Sequence, residues 1–241
     1  MNRTRCALIQ TITTILIVVF FSSLSCLAID QREDHTANGV QTYKKGGFTL
    51  NFECKAPTFS SDTNQKLIDA FFKVYPALVE AYNKKSPKQV SFVIDPDYDG
   101  VAATSDDRVV FSAKYMTSHP GDIDVVTHEV MHIVQGYGGE SGMPGWLTEG
   151  IADYVRYAYG IDNAGAGWSL PNFSKEHSYQ NSYRISARFL VWLERSGYKG
   201  IVIKLDQAGR DKTYNDGAIW KEITGKTVDE LWAEYANNPE I

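Results

Sequence analysis

Residues 128–132 read His128-Glu129-Val130-Met131-His132, and this stretch decides how the rest of the chain is interpreted. Its two histidines are four positions apart, so on a helix they lie on one face, about one turn from each other. Both imidazole rings can therefore reach one ion, and imidazole nitrogen is a preferred ligand of zinc. We expect His128 and His132 to be two of three protein ligands in a catalytic zinc site.

Glu129 follows the first histidine directly and is rotated by about 100° around the helix axis from it. It therefore lies beside the ion without having to bind it, a position that suits a general base for a water molecule activated by zinc. A string this short also arises by coincidence, so the interpretation depends on the residues that follow.

A glycine-rich turn over residues 136–145 follows this helix and predicts a reversal of the chain. The next helix begins near Trp146 and carries Glu149, 17 positions after His132. We expect Glu149 to be the third zinc ligand. Asp153 lies four positions further on and faces the same way, so it is expected to accept the free N–H of a ligand histidine. Taken alone, either acid would be an ordinary surface carboxylate.

The first part of the chain carries strand signals. Residues 48–53 alternate apolar and polar side chains, while Val90–Ile94 and Val109–Ala113 are short apolar runs. Between the first two strands we expect a helix that is capped at Asp62 and is kinked or split near Pro76.

Helical patterns dominate after Tyr115. The expected helices lie near residues 122–136, 145–159, 181–196, 200–208, 214–223 and 228–236. Thr227 and Glu230 have the spacing of a capping box for the last of them. A small N-terminal sheet followed by a mainly helical part predicts one α+β domain.

The N-terminus has the pattern of a secretory signal over residues 1–28. Arg3 and Arg5 precede an uncharged stretch over residues 6–29, and Ala28 ends a plausible cleavage site. The expected location is therefore secreted, with no membrane contact after cleavage. Two alternatives stay open: an uncleaved membrane anchor, because 24 uncharged residues are long enough to span a bilayer, and lipid attachment at Cys26.

Residues 29–45 are mostly polar and are expected to form a flexible segment ahead of a domain over residues 46–241. Removal of the leader takes away two positive charges and no negative one, so the net charge changes from −5 to −7. An acidic chain argues against a nucleic-acid partner. Cys54 is then the only cysteine, which excludes an intrachain disulfide.

These motifs resemble a known group of enzymes. His128-Glu129-x-x-His132 followed by residues 146–152 is similar to the gluzincin metallopeptidases, the clan of thermolysin and aminopeptidase N. The closer resemblance, over about residues 46–235, is to the plant basic secretory protein family, which has bacterial and fungal members. Residues 126–129, 144–156 and 182–190 carry it. One departure is charge, since the family name says basic and this chain is acidic.

The resemblance implies a zincin-like metallopeptidase domain, with zinc as cofactor and a peptide or protein as substrate. We expect the chain to act as a monomer. Endopeptidase and aminopeptidase action both stay open. Two other functions also stay open: a zinc hydrolase acting on a non-peptide bond, and a secreted defence or binding protein that keeps a zinc site without turnover. Glu129 favours turnover, because a purely structural zinc site needs no such carboxylate and usually closes with a fourth protein ligand.

Peptide hydrolysis also needs a donor for the oxyanion that forms during attack. Tyr183 is the candidate, with an ordinary packing role as its alternative, and His177 is a second candidate. Arg188 either binds a substrate carboxylate or forms a salt bridge. An extended substrate is expected to pair with an exposed strand edge, for which Val109–Ala113 is nominated.

Overall fold

The computed structural model describes residues 31–37, 39–138 and 141–241. The leader expected over residues 1–28 lies outside the described residues. The strands of the described part are β1 (Gln31–Ala37), β2 (Val40–Lys45), β3 (Phe48–Cys54), β4 (Gln89–Asp95), β5 (Ala102–Ser105) and β6 (Arg108–Ser112). Its α-helices are α1 (Ser61–Ala81), α2 (Ala113–Ser118), α3 (Val125–Gln135), α4 (Gly145–Tyr159), α5 (Tyr183–Arg195), α6 (Ile201–Arg210), α7 (Ala218–Thr224) and α8 (Val228–Asn237).

The strands form one mixed sheet in the order β1-β2-β3-β4-β6-β5. β3, β4 and β6 are parallel to one another, and the other pairings of the described sheet are antiparallel. Val90, Phe92 and Ile94 of β4 are fully buried, as expected for a central strand covered by helices. The sheet with helices after it confirms the predicted α+β class.

The expectation of a flexible segment over residues 29–45 is wrong where the structure describes it. β2 pairs antiparallel with β3, from Val40 opposite Glu53 to Lys45 opposite Phe48. The two strands are joined by Gly46 and Gly47, whose φ angles of 59° and 81° are those of a two-residue hairpin turn that glycine favours. The sequence of β2 lacks the apolar pattern used to recognise strands, because a strand near the border of a sheet is only partly buried.

β6 is not the edge strand that Val109–Ala113 was nominated to be. It lies between β4 and β5, so both of its hydrogen-bonding sides are already paired. The edge of the sheet on this side is β5, whose four residues Ala-Ala-Thr-Ser gave no strand signal in the sequence. A peptide that extends the sheet here must therefore pair with β5.

The first helix lies against the sheet and does not break at its proline. α1 is continuous from Ser61 to Ala81 with Pro76 inside it, and its N-cap is Ser60 rather than Asp62. The Ser60 hydroxyl accepts a hydrogen bond from the backbone N–H of Thr63 at 3.2 Å. The rings of Phe71 on α1 and Phe92 on β4 meet edge to face, with centroids 5.5 Å apart.

α4 packs against both α3 and α5, and this packing places the functional residues. A Cβ at Gly150 on α4 would lie 2.6 Å from the Cβ of Ser186 on α5, so only glycine allows the two helices to approach so closely. The capping box of Thr227 and Glu230 at the start of α8 is confirmed. Within the described residues, none of the helices is long and apolar enough to cross a membrane.

Candidate metal centre

α3 is held at both ends, which fixes where its histidines lie. Before its start, the fully buried carboxylate of Asp124 accepts hydrogen bonds from the backbone N–H groups of Ile161 and Asp162, each at 2.6 Å. At its end, Gly136 adopts the left-handed conformation with φ 53° and stops the helix. These hydrogen bonds join the segment after α4 to the start of α3, so they fix the position of one helix relative to the other.

The structure brings together all three expected ligand residues. The Nε2 atoms of His128 and His132 are 3.1 Å apart, and Oε2 of Glu149 lies 3.2 Å from the first and 3.5 Å from the second. Zinc ligands about 2.0–2.2 Å from a tetrahedral ion lie about 3.3–3.5 Å from each other. The triangle therefore has the size that a zinc ion needs, with two nitrogens and one carboxylate oxygen as its donors.

Each ligand histidine is oriented through its other ring nitrogen. His128 Nδ1 lies 2.7 Å from Oδ1 of Asp153, and His132 Nδ1 lies 2.7 Å from Oε1 of Gln135. If each Nδ1 donates its proton there, both Nε2 lone pairs point into the triangle. The contact with Asp153 is the one expected from the sequence.

Gln135 was not expected, although its position three residues after His132 puts it on the same side of α3. Its amide Nε2 also donates to the backbone oxygen of Thr148 at 2.9 Å. Gln135 therefore joins the last turn of α3 to the residue that precedes Glu149.

The electrostatics of the triangle favour a cation. Burial lowers the pKa of His128, but hydrogen bonds to Asp153 and Glu149 outweigh it and raise this pKa to about 10. Burial raises the pKa of Glu149, whereas the hydrogen bonds to His128 and His132 outweigh it and hold the pKa well below its usual range. The group thus retains one positive charge between its acceptors, which a proton or a metal ion can supply.

Glu129 lines the same cleft as the triangle and is buried. Its Oε2 accepts a hydrogen bond from the hydroxyl of Thr104 on the edge strand β5, at 2.7 Å, and its backbone oxygen lies 3.0 Å from that hydroxyl. Thr104 was not expected, because nothing in its sequence neighbourhood shows that β5 lies against α3. The contact aligns the edge strand with the acid beside the metal ligands.

Tyr183 lies over the triangle. Its ring is nearly parallel to that of His128 at a centroid distance of 6.2 Å, and 54% of the residue is exposed to the cleft and solvent. The negative charge of Glu149 is the main cause that raises the pKa of Tyr183, so the phenol keeps its proton. Its φ of 48°, after a φ of 70° at Ser182, is unusual for residues other than glycine and turns the side chain at the start of α5.

The other two candidates are not in the cleft lining. The ring of His177 accepts from the backbone N–H of Ser174 at 3.2 Å and lies against Phe173. Arg188 donates to the hydroxyl of Tyr235 and to the backbone oxygen of Pro239, each at 2.6 Å. Arg188 thus forms no salt bridge with any described residue, and it anchors the C-terminal segment away from the cleft.

The triangle opens into a cleft of about 1230 Å³. Its lining includes residues 101–104 at the sheet edge, residues 166–168 and Tyr183.

Comparison with known proteins adds a family to this geometry. A family model described as BSP, peptidase of plants and bacteria, matches residues 51–235. No curated protein matches the chain. The matched range contains α3, α4 and α5, and with them every residue of the triangle.

Proposed function

Because the chain belongs to the BSP family, the peptidases of plants and bacteria, we propose that it is a secreted, zinc-dependent peptidase whose zinc site is the His128–His132–Glu149 triangle. The observation that carries the proposal is the convergence of three acceptor atoms within 3.1–3.5 Å in an open cleft. Such acceptors repel one another unless a cation lies between them.

Zinc, when bound, would lower the pKa of a water molecule and polarise the substrate carbonyl. Glu129 would accept the proton of the attacking water and later donate it to the leaving amine. The hydroxyl of Thr104 holds one oxygen of Glu129 in place, which leaves the other oxygen for this proton transfer.

Tyr183 would stabilise the oxyanion that forms during attack. Its protonated phenol is next to His128 and is exposed to the cleft, so it can donate a hydrogen bond to a developing negative charge. This assignment keeps Tyr183 as the donor and leaves out His177, which does not line the cleft.

The substrate would lie extended along β5. This strand borders the cleft, has one unpaired edge within the described sheet, and contacts Glu129 through Thr104. Main-chain hydrogen bonds to such an edge bind a peptide with little dependence on its side chains.

The leader over residues 1–28 would direct the chain out of the cell. The peptidase domain would then comprise the sheet and the helices of the described residues, so it would start before residue 46, because β2 pairs with β3 and β1 pairs with β2. We propose that it acts as a monomer, since the cleft and its site residues belong to one chain.

The test is hydrolysis of a mixed peptide library by zinc-loaded protein. Glu129→Gln should lower kcat by at least about 100-fold, because it removes the proton acceptor. Glu222→Gln on the exposed face of α7 is the matched control and should cleave at the wild-type rate. Cleavage by Glu129→Gln as fast as by the wild type would refute the assignment.

A further inference from the structure

Two arginines line the cleft, and the proposed reaction uses neither. Arg156 on α4 is only 5% exposed, and its Nη2 donates to Oδ1 of Asp122 at 2.5 Å. Its Nε donates to Asn163 at 3.0 Å. Among the described residues, Nη1 of Arg156 has no hydrogen-bond partner, although a guanidinium offers five N–H donors. A buried cation in a cleft therefore keeps donors that a bound acceptor can use.

Arg184 is the second of these arginines and is exposed. Its Nη1 donates to the backbone oxygen of Ser169 at 3.3 Å, and no carboxylate of the described residues forms an ion pair with it. It lies in the first turn of α5, where the helix dipole disfavours a cation and Ser182 provides no side-chain cap. An anion bound beside Arg184 would offset the unfavourable interaction of the cation with the helix dipole, and it could accept hydrogen bonds in place of the missing cap.

Both arginines lie at one end of the cleft. The guanidinium of Arg156 stacks on the ring of Trp168, 4.6 Å from its centroid, and the next residue, Ser169, contacts Arg184. The adjacent residue of Arg184 is Tyr183, whose ring lies over His128. This end, which we call the arginine end, therefore begins directly beside the metal triangle.

The arginine end also adjoins the start of β5. Ser112 donates its backbone N–H to the oxygen of Val101, and its side chain caps the helix that carries Tyr115. The Tyr115 hydroxyl in turn donates at 2.7 Å to Asp122, the partner of Arg156. Chain direction along β5 thus runs from the arginine end towards Thr104 and Glu129.

This direction orients a bound peptide. Antiparallel pairing is the more stable of the two arrangements at a strand edge. A peptide that pairs antiparallel with β5 has its N-terminal part near Ser105 and its C-terminal part at Val101. The leaving-group side of the scissile bond therefore runs towards the arginine end. Val101 lies three residues before Thr104, which contacts Glu129, so about two or three peptide residues would lie between the bond and the start of β5.

We propose that Arg184, with Arg156 beneath Trp168, forms a subsite for a carboxylate on the leaving-group side of the substrate. The inference rests on the proposed peptidase function and names its substrate class: peptides with a carboxylate about two or three residues after the cleaved bond. A C-terminal carboxylate and an acidic side chain have the same chemistry for this subsite, since a guanidinium binds either of them through charge-assisted hydrogen bonds.

Binding tests the subsite separately from turnover. The probes are pools of randomised hexapeptides with N-terminal fluorescein, made with a free C-terminal carboxylate or with a C-terminal amide. A second pair of amidated pools carries Glu or Gln as the fifth residue. Their Kd is measured by fluorescence anisotropy on zinc-loaded Glu129→Gln protein. The carboxylate member of at least one pair should bind about five- to tenfold more tightly than its neutral counterpart.

Arg184→Gln, added to the same background, should abolish this preference and leave the affinity for the neutral pools unchanged. Lys204→Gln removes an equal charge on an exposed residue of α6 outside the cleft lining and should preserve the preference. The two pairs of pools distinguish a chain terminus from a side chain as the source of the carboxylate.

Equal affinities within both pairs, no binding at all, or a preference that survives in Arg184→Gln would each overturn the subsite. These outcomes are distinct from failure of the peptidase proposal. If wild-type protein binds the carboxylate pools preferentially and hydrolyses no peptide, the subsite stands and the proposed reaction is wrong. If it hydrolyses the pools without any preference for their carboxylate members, the proposed reaction stands and the subsite is wrong.

Discussion

Two clusters of polar side chains adjoin α3, and the pKa values of their carboxylates shift in opposite directions. The metal triangle of His128, His132 and Glu149 holds the pKa of its acid well below the usual range. The Asp206 cluster comprises Asp206, Arg210 and Tyr137. There, burial raises the pKa of Asp206 to about 6, although Arg210 and the Tyr137 hydroxyl both act to lower it.

The difference follows from how each carboxylate is partnered. Asp206 is fully buried, and it already receives hydrogen bonds from Arg210 and from Tyr137, the latter at 2.8 Å. Glu149 is part-exposed to the cleft, and its partners are two histidines whose charge depends on a bound proton or metal. The closed cluster contains its own cation, Arg210, whereas the open cluster could take a cation from solution.

Removal of the internal cation should have the largest effect. Arg210→Met leaves the Asp206 carboxylate buried without its charged partner and also removes the hydrogen bond to the backbone oxygen of Tyr82. We expect the free energy of unfolding to fall by about 3–5 kcal/mol, measured by urea denaturation of zinc-loaded protein.

Arg195→Met is the control, because Arg195 is exposed and contacts only the hydroxyl of Tyr157 among the described side chains. It should change stability by less than about 0.5 kcal/mol. The comparison breaks down if Arg210→Met keeps wild-type stability but loses zinc affinity.

A change over the open cluster should instead affect turnover alone. Tyr183→Phe removes the proposed oxyanion donor and should lower kcat by about 10²–10³, with zinc affinity and stability unchanged. Tyr157→Phe, at another exposed tyrosine outside the cleft lining, should have the wild-type kcat. An unchanged kcat in Tyr183→Phe would show that this ring only packs against His128.

The smallest effect is expected from the group that orients a ligand. Asp153→Asn weakens the contact that fixes Nδ1 of His128 and should raise the Kd for zinc by about 10–100-fold, measured by competition with a chelator. Asp69→Asn on the exposed face of α1 should leave that Kd unchanged. A wild-type Kd in Asp153→Asn would mean that the hydrogen bond does not orient the ligand.

The same contrast explains how much could be predicted from the sequence. Helical spacing pairs His128 with His132 and Glu149 with Asp153, because residues four apart share a helix face wherever the helix lies. The meeting of the two helices was predicted from the glycine-rich turn between them. The helices after Tyr115 were likewise close to their observed bounds, since their apolar periodicity is strong. The spacing within each helix and the turn between the two helices are features of local sequence.

The other features depend on contacts between distant parts of the chain. Thr104 holds Glu129 only because β5 packs on α3, and β5 has too few large residues to be recognised as a strand. Pairing with β3 is what orders the polar residues of β2. The arginine end could not be predicted from the sequence either, since Trp168 and Arg156 come into contact only in the folded chain.

Zinc content measures the central claim most directly. Purified protein is incubated with zinc, dialysed and analysed by elemental mass spectrometry. The wild type and Glu129→Gln should each retain about one zinc ion per chain, because both keep the three ligands, whereas His132→Ala should retain almost none. A wild-type chain without zinc, or His132→Ala with a full complement, would contradict the assignment of the triangle as the metal site.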